Sequence, residues 1–286
     1  MRIGKAVITA AARGQNLLPL QTLVDRDGVQ KYALRIILEE AISSGVEDVC
    51  IVVRPGDQAA YAAAAGDLAS RLEFVEQEQP QGYGHALYCA SAFVSDDPFL
   101  HLVSDHLYVS REPHRCARQL VQIAEAESCS VSGVQSTRES MLTHYGAIGG
   151  RRVAGQNRLY EVEEVLEKPT PTEAEQRLIV PGLRQGHYLC FFGMHVLTPA
   201  IMGLLHDQLA RADKGQSVQL SAALAGLARK ERYLAHEVHG VRYNIGVKYG
   251  LLVAQLALAL DGNDRDEILA QLVELLANRD STKSSA

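Results

Sequence analysis

The chain has 286 residues, of which 47% are hydrophobic and 22% are charged, a composition typical of a folded globular protein. Its 28 basic and 34 acidic side chains give a formal net charge of -6. This balance argues against a nucleic-acid partner, because nucleic-acid binding relies on clustered basic side chains. No apolar run reaches the roughly 20 residues that a membrane-spanning helix needs, so the sequence predicts no membrane partner either.

The cysteines are odd in number, widely separated and without zinc-type spacing: Cys50, Cys89, Cys116, Cys129 and Cys190. That pattern favours reduced, mostly buried thiols. The N-terminus places Lys5 before an apolar run, as a secretion signal does, but Arg13 ends that run too early. The sequence therefore predicts a cytoplasmic protein.

The first half of the chain alternates short apolar strands with longer helical patterns. Strands are predicted at Lys5–Ile8, Asp48–Val53, Leu72–Val75 and Pro98–Val103, and helices at Tyr32–Ser44, Tyr61–Leu72 and Gly84–Phe93. Such alternation builds parallel βαβ units, and continuous apolar strands fit a sheet that helices cover on both faces. The predicted fold is α/β, with a Rossmann-like, mainly parallel mixed sheet flanked by helices.

The second half is less regular. Strands are predicted at Tyr145–Ile148, Val162–Leu166, Leu189–Val196 and Tyr233–Val238, and helices at Pro199–Leu209, Val218–Arg229, Val247–Leu260 and Glu267–Ala277. Lys168–Glu175 is predicted to be a polar loop that contains proline. Because no repeat or low-complexity linker divides the chain, residues 1–277 are predicted to form one domain, followed by a disordered tail at 278–286.

Three loops follow predicted strands and are candidate ligand-binding segments, since ligands of parallel sheets bind beyond the carboxyl ends of the strands. They are Thr9–Pro19, Glu76–His85 and Ser104–Tyr108. The first contains one glycine, Gly14, and lacks both the dinucleotide-binding and the P-loop patterns. A dinucleotide-dependent oxidoreductase is therefore disfavoured.

The second loop has features of a nucleotide-binding turn. Gly82 and Gly84 precede a helix, which lets backbone amides approach a flat or anionic ligand, although a plain helix-entry turn needs the same residues. The amide of Gln77 can donate and accept hydrogen bonds at once, which suits the edge of a nucleobase.

Charged side chains follow two other strands. Asp105 stands where a carboxylate can hold a Mg²⁺ ion that bridges phosphates, or can cap a helix. Lys168 could meet a phosphate and Glu167 the hydroxyls of a sugar, with an exposed ion pair between the two as the simpler alternative.

Taken in order, these segments resemble the bacterial UTP–glucose-1-phosphate uridylyltransferases of the nucleoside-diphosphate-sugar pyrophosphorylase superfamily. The resemblance extends from Lys5 to about Leu260 and is most specific at Gln77–Ala90, which is similar to the family's Q-x-x-P-x-G-x-G-H-A…C-A segment. The other matching segments are Lys5–Ile8, Pro98–Asp105, Tyr145-Gly146, Glu167-Lys168-Pro169, Gln219-Leu220-Ser221 and Tyr243–Lys248.

The resemblance implies the nucleotide-diphospho-sugar transferase fold and transfer of a uridylyl group from UTP to a sugar 1-phosphate. It also implies Mg²⁺ as cofactor, UTP or a UDP-sugar and a sugar 1-phosphate as ligands, and a homo-oligomer. Carried onto the matching positions, it implies catalytic roles for Asp105, Lys168 and Arg13, nucleotide binding by Ala11, Gly14, Gln77, Gly82, Gly84 and His85, sugar binding by Gly146, Glu167 and Gly193, and metal binding by Asp105 and Asn244.

The first loop departs from the family's G-x-G-T-R-x-L-P signature. Asn16 stands where the family has its triphosphate-binding Arg, and the stretch with the second signature Lys is missing after Pro19. Arg13 is the nearest candidate substitute, and Arg26 and Lys31 are further ones.

Two other sites depart from the family as well. Asn244 replaces the second metal-binding Asp, Ser217 replaces a sugar-binding Glu, and Ala222 replaces the Asp that closes the Q-L-T-D motif. Two hypotheses therefore remain open: an active uridylyltransferase with a rebuilt triphosphate loop, or a catalytically impaired paralogue that binds a nucleotide sugar or regulates a true enzyme in a hetero-oligomer. Loss of several charged groups can remove most of the acceleration of a phosphoryl transfer.

Overall fold

The structure is a computed structural model and describes residues 1–12, 14, 16–213 and 215–283. Its strands are β1 (Lys5–Thr9), β2 (Thr22–Val24), β3 (Gln30–Tyr32), β4 (Asp48–Val53), β5 (Leu72–Glu76), β6 (Phe99–Val103), β7 (His106–Ser110), β8 (Ser130–Arg138), β9 (Ala147–Arg152), β10 (Leu159–Leu166), β11 (His187–Leu197), β12 (Tyr233–Glu237) and β13 (Gly240–Asn244). Its helices are α1 (Ala33–Ile42), α2 (Gln58–Ala65), α3 (Tyr83–Cys89), α4 (Ser91–Val94), α5 (Cys116–Glu127), α6 (Pro171–Arg177), α7 (Ala200–Arg211), α8 (Leu220–Lys230), α9 (Gly250–Asp261) and α10 (Arg265–Lys283). Short 3-10 helices cover Leu18–Leu20, Gly66–Arg71 and Glu139–His144.

Strands from both halves of the described chain form one nine-stranded sheet in the order β5-β4-β1-β6-β11-β8-β12-β10-β9. The pairs β5–β4, β4–β1, β1–β6 and β8–β12 are parallel, whereas β11, β10 and β9 pair with their neighbours in antiparallel fashion. Two further antiparallel ribbons, β13–β7 and β2–β3, lie outside this sheet. The predicted α/β fold with a mixed sheet is confirmed, and most of its parallel pairing lies in the first half of the chain.

Alternate residues of the central strands enter two hydrophobic cores on opposite faces of the sheet. In β1, Ala6 and Ile8 pack in the core with α1, α2 and α5, whereas Val7 packs in the core with α3, α7 and α8. Side chains alternate between faces along a strand, so a strand with two covered faces is apolar throughout. The prediction that helices cover both faces is thus confirmed.

The helices of the first half differ from their predicted bounds where the backbone turns. The helix predicted at Tyr61–Leu72 begins earlier, at Gln58, and its α-helical part ends at Ala65. Gly66 follows with φ +62, and a 3-10 helix continues from there. The helix predicted at Gly84–Phe93 is divided between α3 and α4.

The prediction of a polar loop at Lys168–Glu175 is wrong. Helix α6 begins at Pro171, and Thr170 caps it. The Thr170 hydroxyl accepts from the backbone N–H of Glu173, while the Glu173 carboxylate accepts from the backbone N–H of Thr170. This reciprocal capping box stabilises a helix that is too short and too polar to show an apolar period.

The structure also contains elements that were not predicted from the sequence. β7, α5 and β8 lie between predicted elements, as do the ribbon strands β2, β3 and β13. The last helix, α10, extends past Ala277 to Lys283 and so includes part of the segment predicted to be disordered from Asn278, while residues 284–286 lie outside the described residues. None of the helices described here has the length and hydropathy to cross a membrane.

A chain of hydrogen bonds and ring contacts links four polar side chains within the fold, those of Tyr83, His101, His195 and Ser132. The Tyr83 hydroxyl donates to His101 Nε2 at 2.6 Å, and His101 Nδ1 donates to the carbonyl of Val7 at 3.0 Å. The ring of His195 stacks on that of His101 with centroids 6.0 Å apart, and its Nδ1 lies 2.5 Å from Ser132 Oγ. Burial lowers the pKa of His101 to about 4 and places the pKa of His195 well below its ordinary value.

We expect His101 to make the fold sensitive to mild acid. Above pH 6.5 both folded and unfolded chains hold a neutral imidazole at this position, so its contribution is complete. Between pH 6.5 and pH 4 the imidazole becomes protonated in the unfolded chain but stays neutral in the folded one. This difference in proton binding lowers the free energy of unfolding by up to about 3 kcal/mol. Urea unfolding across this range should show a shallower loss for His101→Gln than for the wild type. The exposed His114 is the control, and equal slopes for wild type, His101→Gln and His114→Gln would contradict the prediction.

Candidate active site

The three loops predicted from the sequence meet at one cavity of about 690 Å³, a size typical of small-ligand sites. They follow β1, β5 and β6, whose carboxyl ends lie at the same edge of the sheet. The predicted site residues that line this main cavity are Ala11, Gln77, Gly82 and Asp105 from the three loops, and Lys168 and Asn244 from the second half of the chain. The tertiary structure therefore brings both predicted metal-binding residues and three of the predicted nucleotide-binding residues to one place.

A second cavity of about 120 Å³ adjoins the first. Its lining includes Gly146, Glu167 and Gly193, the residues predicted to bind a sugar. The side chains shared by the linings of both cavities are those of Tyr83, Val103, His106, His144 and Tyr145. The two cavities are thus neighbouring parts of one cleft.

Other predicted site residues do not line either cavity. Gly14 and His85 lie outside the two linings, and Arg13 lies outside the described residues. Gly84 is buried, and its N–H donates to the carbonyl of Val218 at 2.9 Å. A Cβ at Gly84 would approach Leu205 and Val218 to 3.0 Å, so close packing explains this glycine without a ligand.

The Gln77 side chain forms hydrogen bonds within the second loop, Glu76–His85. Its Nε2 donates to the carbonyl of Gly82 at 3.3 Å and to His85 Nδ1 at 2.8 Å. Because a carbonyl oxygen can only accept, the amide nitrogen faces the loop and Oε1 remains for a ligand. Burial lowers the pKa of His85, which favours the neutral ring that accepts from Gln77.

We expect Gly82→Ala to be strongly destabilising. Gly82 has φ +104, and an added Cβ would overlap with Ser217 Oγ and lie 2.6 Å from the carbonyl oxygen of Val218. Strain and overlap together should lower the free energy of unfolding by about 2–4 kcal/mol. Gly155→Ala is the matched control, because Gly155 also has a positive φ, +76, with nothing within 4 Å of the added Cβ. Chemical unfolding should show a clearly larger loss for Gly82→Ala, and equal losses would contradict the account.

Asp105 supplies an ionised carboxylate to the main cavity. Its Oδ1 accepts from His106 Nδ1 at 2.8 Å. Burial acts to raise the pKa of Asp105, but the hydrogen bond and the charge interaction with His106 outweigh it and lower that pKa below its usual value. Asn244 lies beside it, with Oδ1 accepting from the N–H of Gly246 at 2.8 Å. Among the described residues, no group of three or more His, Cys, Asp or Glu side chains could hold a metal ion.

Lys168 is the one Lys or Arg among the described residues that line the main cavity. It has φ +46, a strained conformation for a residue with a Cβ. Such strain persists mainly at functional positions. In the part of the chain described here, neither Lys168 nor Glu167 makes an ion pair, so the simpler alternative of a Glu167–Lys168 pair does not occur.

The first loop directs Asn16 away from the cavity. Its Nδ2 donates to Asp57 Oδ2 at 2.9 Å, and its carbonyl accepts from the Tyr61 hydroxyl at 2.7 Å. The predictions that Arg26 or Lys31 replaces the missing Arg are wrong. Lys31 is held by carboxylates around the β2–β3 ribbon, Arg26 pairs with the carboxylate of Asp261 at 3.3 Å, and neither lines the cavity.

The sequence predictions missed several side chains around the cleft. Tyr83, His106 and His144 line it, and the position of His106 directly after Asp105 was a readable signal. Arg242 lies behind it, with its guanidinium 4.0 Å from the ring centroid of Tyr145 and with Nε and Nη1 buried and without a partner in the described chain. Burial lowers the pKa of Arg242.

The fold and the cleft define a protein of the nucleotidyl transferase class, and a sequence model described as "Nucleotidyl transferase" matches residues 5–245. UTP–glucose-1-phosphate uridylyltransferase YngB of Bacillus subtilis (strain 168) is 31% identical over 96% of this chain and 96% of its own length. A second UTP–glucose-1-phosphate uridylyltransferase of the same organism is 28% identical over 98% of this chain and 99% of its own. The chain belongs to the UTP–glucose-1-phosphate uridylyltransferase family, as its motifs predicted.

Solved structures share the fold. A UDP-glucose pyrophosphorylase complexed with UDP-glucose superposes with a TM-score of 0.73 at 23% identity, covering 89% of this chain and 98% of that one. A UTP-bound enzyme of the same kind from Acinetobacter baumannii gives 0.73 at 21% identity over 95% and 99%. These similarities confirm the predicted nucleotide-diphospho-sugar transferase fold.

Proposed function

We propose that this protein transfers a uridylyl group from UTP to a sugar 1-phosphate and releases pyrophosphate. The convergence of a base-binding loop, an ionised carboxylate and an unpaired ammonium group at one cavity carries the proposal. The names of the two Bacillus relatives support UTP and glucose 1-phosphate as the first substrates to test. In the reaction a sugar-phosphate oxygen bonds to the α-phosphorus, while the bond from that phosphorus to the oxygen bridging to the β-phosphate breaks.

The described residues suit the alignment and charge neutralisation that dominate phosphoryl-group chemistry. Gln77 Oε1 is available to accept from the N3–H of uracil, and the lack of a side chain at Gly82 lets the base approach the loop backbone. The ammonium group of Lys168 binds the sugar phosphate. Glu167 in the smaller cavity accepts from sugar hydroxyls.

The donor set fits a divalent cation held through one carboxylate. Mg²⁺ in phosphate-transfer sites is commonly held by one or two carboxylates, with substrate phosphates and water completing its shell. Asp105 would hold it, since its carboxylate is ionised and Oδ2 has no hydrogen-bond partner within the described chain. Asn244 offers only an amide oxygen that already accepts from Gly246, so it is a weaker ligand than the Asp it replaces. A Mg²⁺ ion held there would supply positive charge that neutralises the phosphates.

We infer that Arg13 neutralises the triphosphate in place of the Arg that Asn16 replaces. The inference is supported by the sequence, in which Arg13 adjoins the lining residue Ala12, and by the orientation of Asn16 toward Asp57. Arg13→Ala should raise the KM for UTP about tenfold or more and leave the KM for the sugar phosphate unchanged. The exposed Arg184, outside both cavities, is the control, and an unchanged KM for UTP in Arg13→Ala would contradict the inference.

The test of the proposed function is chromatographic detection of UDP-glucose from UTP, glucose 1-phosphate and Mg²⁺. Omission of each component and addition of a chelator are the controls. TTP and other hexose 1-phosphates should be offered in parallel, since thymine differs from uracil by one methyl group. Product that requires all three components supports the proposal. No product from any pair, together with calorimetric binding of UDP-glucose, would overturn it in favour of an impaired paralogue.

We infer that the protein self-associates through α9 and α10. In α9, Gly250, Ala254 and Leu258 are buried within the fold, whereas Leu252 is exposed. Helix α10 exposes Leu269, Val273 and Leu276, whose spacing of four and three residues is that of a helix-to-helix seam. A second copy presents the same seam. Light scattering should show a dimer or larger species that Val273→Glu dissociates, and a monomeric wild type would contradict the inference.

We also infer a reducing, cytoplasmic location. The five cysteines are free, and Cys89 alone of them is not fully buried. Burial raises the pKa of Cys50 to about 12 and that of Cys129 to about 11, so these thiols are poor nucleophiles. Titration of the native protein with a thiol reagent should modify Cys89 first, and disulfides in the purified protein would contradict the inference.

A further inference from the structure

His106 occupies the junction of the two cavities. It is the first residue of β7, directly after Asp105, and it lines both cavities. In the β7–β13 ribbon it pairs with Asn244, the residue that replaces the second metal-binding Asp. His106 thus stands between the phosphate-binding groups of the main cavity and the sugar-binding groups of the smaller one.

A hydrogen bond from His106 to Asp105 sets the orientation of the imidazole. His106 Nδ1 lies 2.8 Å from Asp105 Oδ1, and an ionised carboxylate can only accept, so the Nδ1–H donates to Asp105. Nε2 faces away from Asp105, because the two nitrogens point to opposite sides of the ring. Nε2 has no hydrogen-bond partner in the described part of the chain.

The ring is also fixed by packing. A Cβ at Gly193 would lie 3.5 Å from His106 Cγ, an ordinary contact distance, so the ring is a near neighbour of this glycine. The Tyr108 hydroxyl donates to the carbonyl of Gly193 at 2.9 Å, and the rings of Tyr108 and His106 stack with centroids 6.5 Å apart. A polar group held in this way needs little reorganisation to form a hydrogen bond with a ligand, which favours a selective contact.

We propose that His106 is a specificity-determining residue for the sugar-phosphate substrate, with Nε2 forming a hydrogen bond with a hydroxyl of the hexose 1-phosphate. The inference rests on the proposed function and deepens it. Glu167 also lines the smaller cavity, so both residues can bind hydroxyls of one sugar. A site that binds a hydroxyl discriminates against a sugar that lacks it, because the buried polar atom of the protein is then left without a hydrogen-bond partner. Hexose 1-phosphates are therefore preferred over the deoxy sugar that lacks this hydroxyl.

The test compares His106→Asn with His106→Gln. The Asn amide nitrogen can occupy the place of Nδ1 and keep the hydrogen bond to Asp105, but it leaves nothing at the place of Nε2. A purely structural role is therefore retained in His106→Asn, whereas the sugar contact is lost. The Gln side chain reaches the place of Nε2 with an amide oxygen that can accept, so His106→Gln should regain part of the sugar contact.

In His106→Asn we expect the KM for glucose 1-phosphate to rise about tenfold, with the KM for UTP unchanged. A panel of monodeoxy and deoxyfluoro glucose 1-phosphates gives the second readout. The wild type should discriminate against one of them, and His106→Asn should lose that discrimination. An unchanged KM for glucose 1-phosphate and an unchanged panel profile would overturn the inference.

Calorimetry separates this inference from the proposed function. The affinity for UDP-glucose relative to UDP measures the sugar contacts without turnover, and His106→Asn should lower that ratio about tenfold. A wild type that neither turns over nor binds UDP-glucose would overturn the proposed function and this inference with it. A competent wild type with the same ratio in His106→Asn would overturn this inference alone.

Discussion

Asp105→Asn should reduce UDP-glucose formation by about 10³-fold or more, because the proposed reaction would lose the charge that holds the cation. Asn keeps an oxygen that can accept from His106 Nδ1, so the local hydrogen bond is retained. The free energy of unfolding should change little, and the affinity for UDP-glucose without metal should remain. We therefore expect Asp105→Asn to lower the rate of UDP-glucose formation and the dependence of that rate on Mg²⁺ concentration.

Asp96→Asn is the matched control for the charge change. Asp96 is exposed, lies outside both cavities and makes no ion pair within the described chain. Over a range of Mg²⁺ concentrations, the steady-state rates of Asp96→Asn should equal those of the wild type. Activity of Asp105→Asn within tenfold of the wild type would show that another group carries the cation.

Lys168→Met should lower kcat/KM for the sugar phosphate by about 10²–10³-fold, since Lys168 is the one Lys or Arg that lines the main cavity in the described chain. Removal of one preorganised cation from a charged transition state has an effect of this size. Lys168→Arg should keep part of the activity, because the charge remains while the geometry of the donor changes.

Lys168→Gly separates function from stability. Lys168 has φ +46, which glycine adopts without strain, so this variant should be as stable as the wild type or more stable. It should nevertheless be as inactive as Lys168→Met. Urea unfolding and initial rates on the same preparations test both parts. Full activity in Lys168→Gly would mean that the ammonium group is not used.

The parallel part of the sheet could be predicted from the sequence because its strands are buried on both faces. Asp48–Val53 is a run of apolar residues after Asp48, and the structure has a strand with the same bounds. The second loop was similarly predictable, because Gln77 forms hydrogen bonds with Gly82 and His85, which are close to it in sequence. Interactions between residues that are close in sequence produce motifs that can be recognised in the sequence itself.

The β7–β13 ribbon and the capped helix α6 were not predictable in this way. β7 and β13 are short strands whose pairing joins residues far apart in the chain, and no apolar alternation marks them. The signal for α6 was present at Thr170 and Glu173, but it was a capping pattern in a polar segment that lacks an apolar face.

The sequence by itself therefore determined the class of fold, the family and the position of the second loop at the cavity, since these depend on hydrophobic period and short-range motifs. Tertiary structure alone decided that Gly84 serves packing, that Asn16 faces Asp57, and that Arg26 and Lys31 are held in ion pairs. It also decided that His106 joins the two cavities beside Asn244. The physical reason is that each of these contacts depends on the register and packing of segments distant in sequence, which leave no local pattern to read.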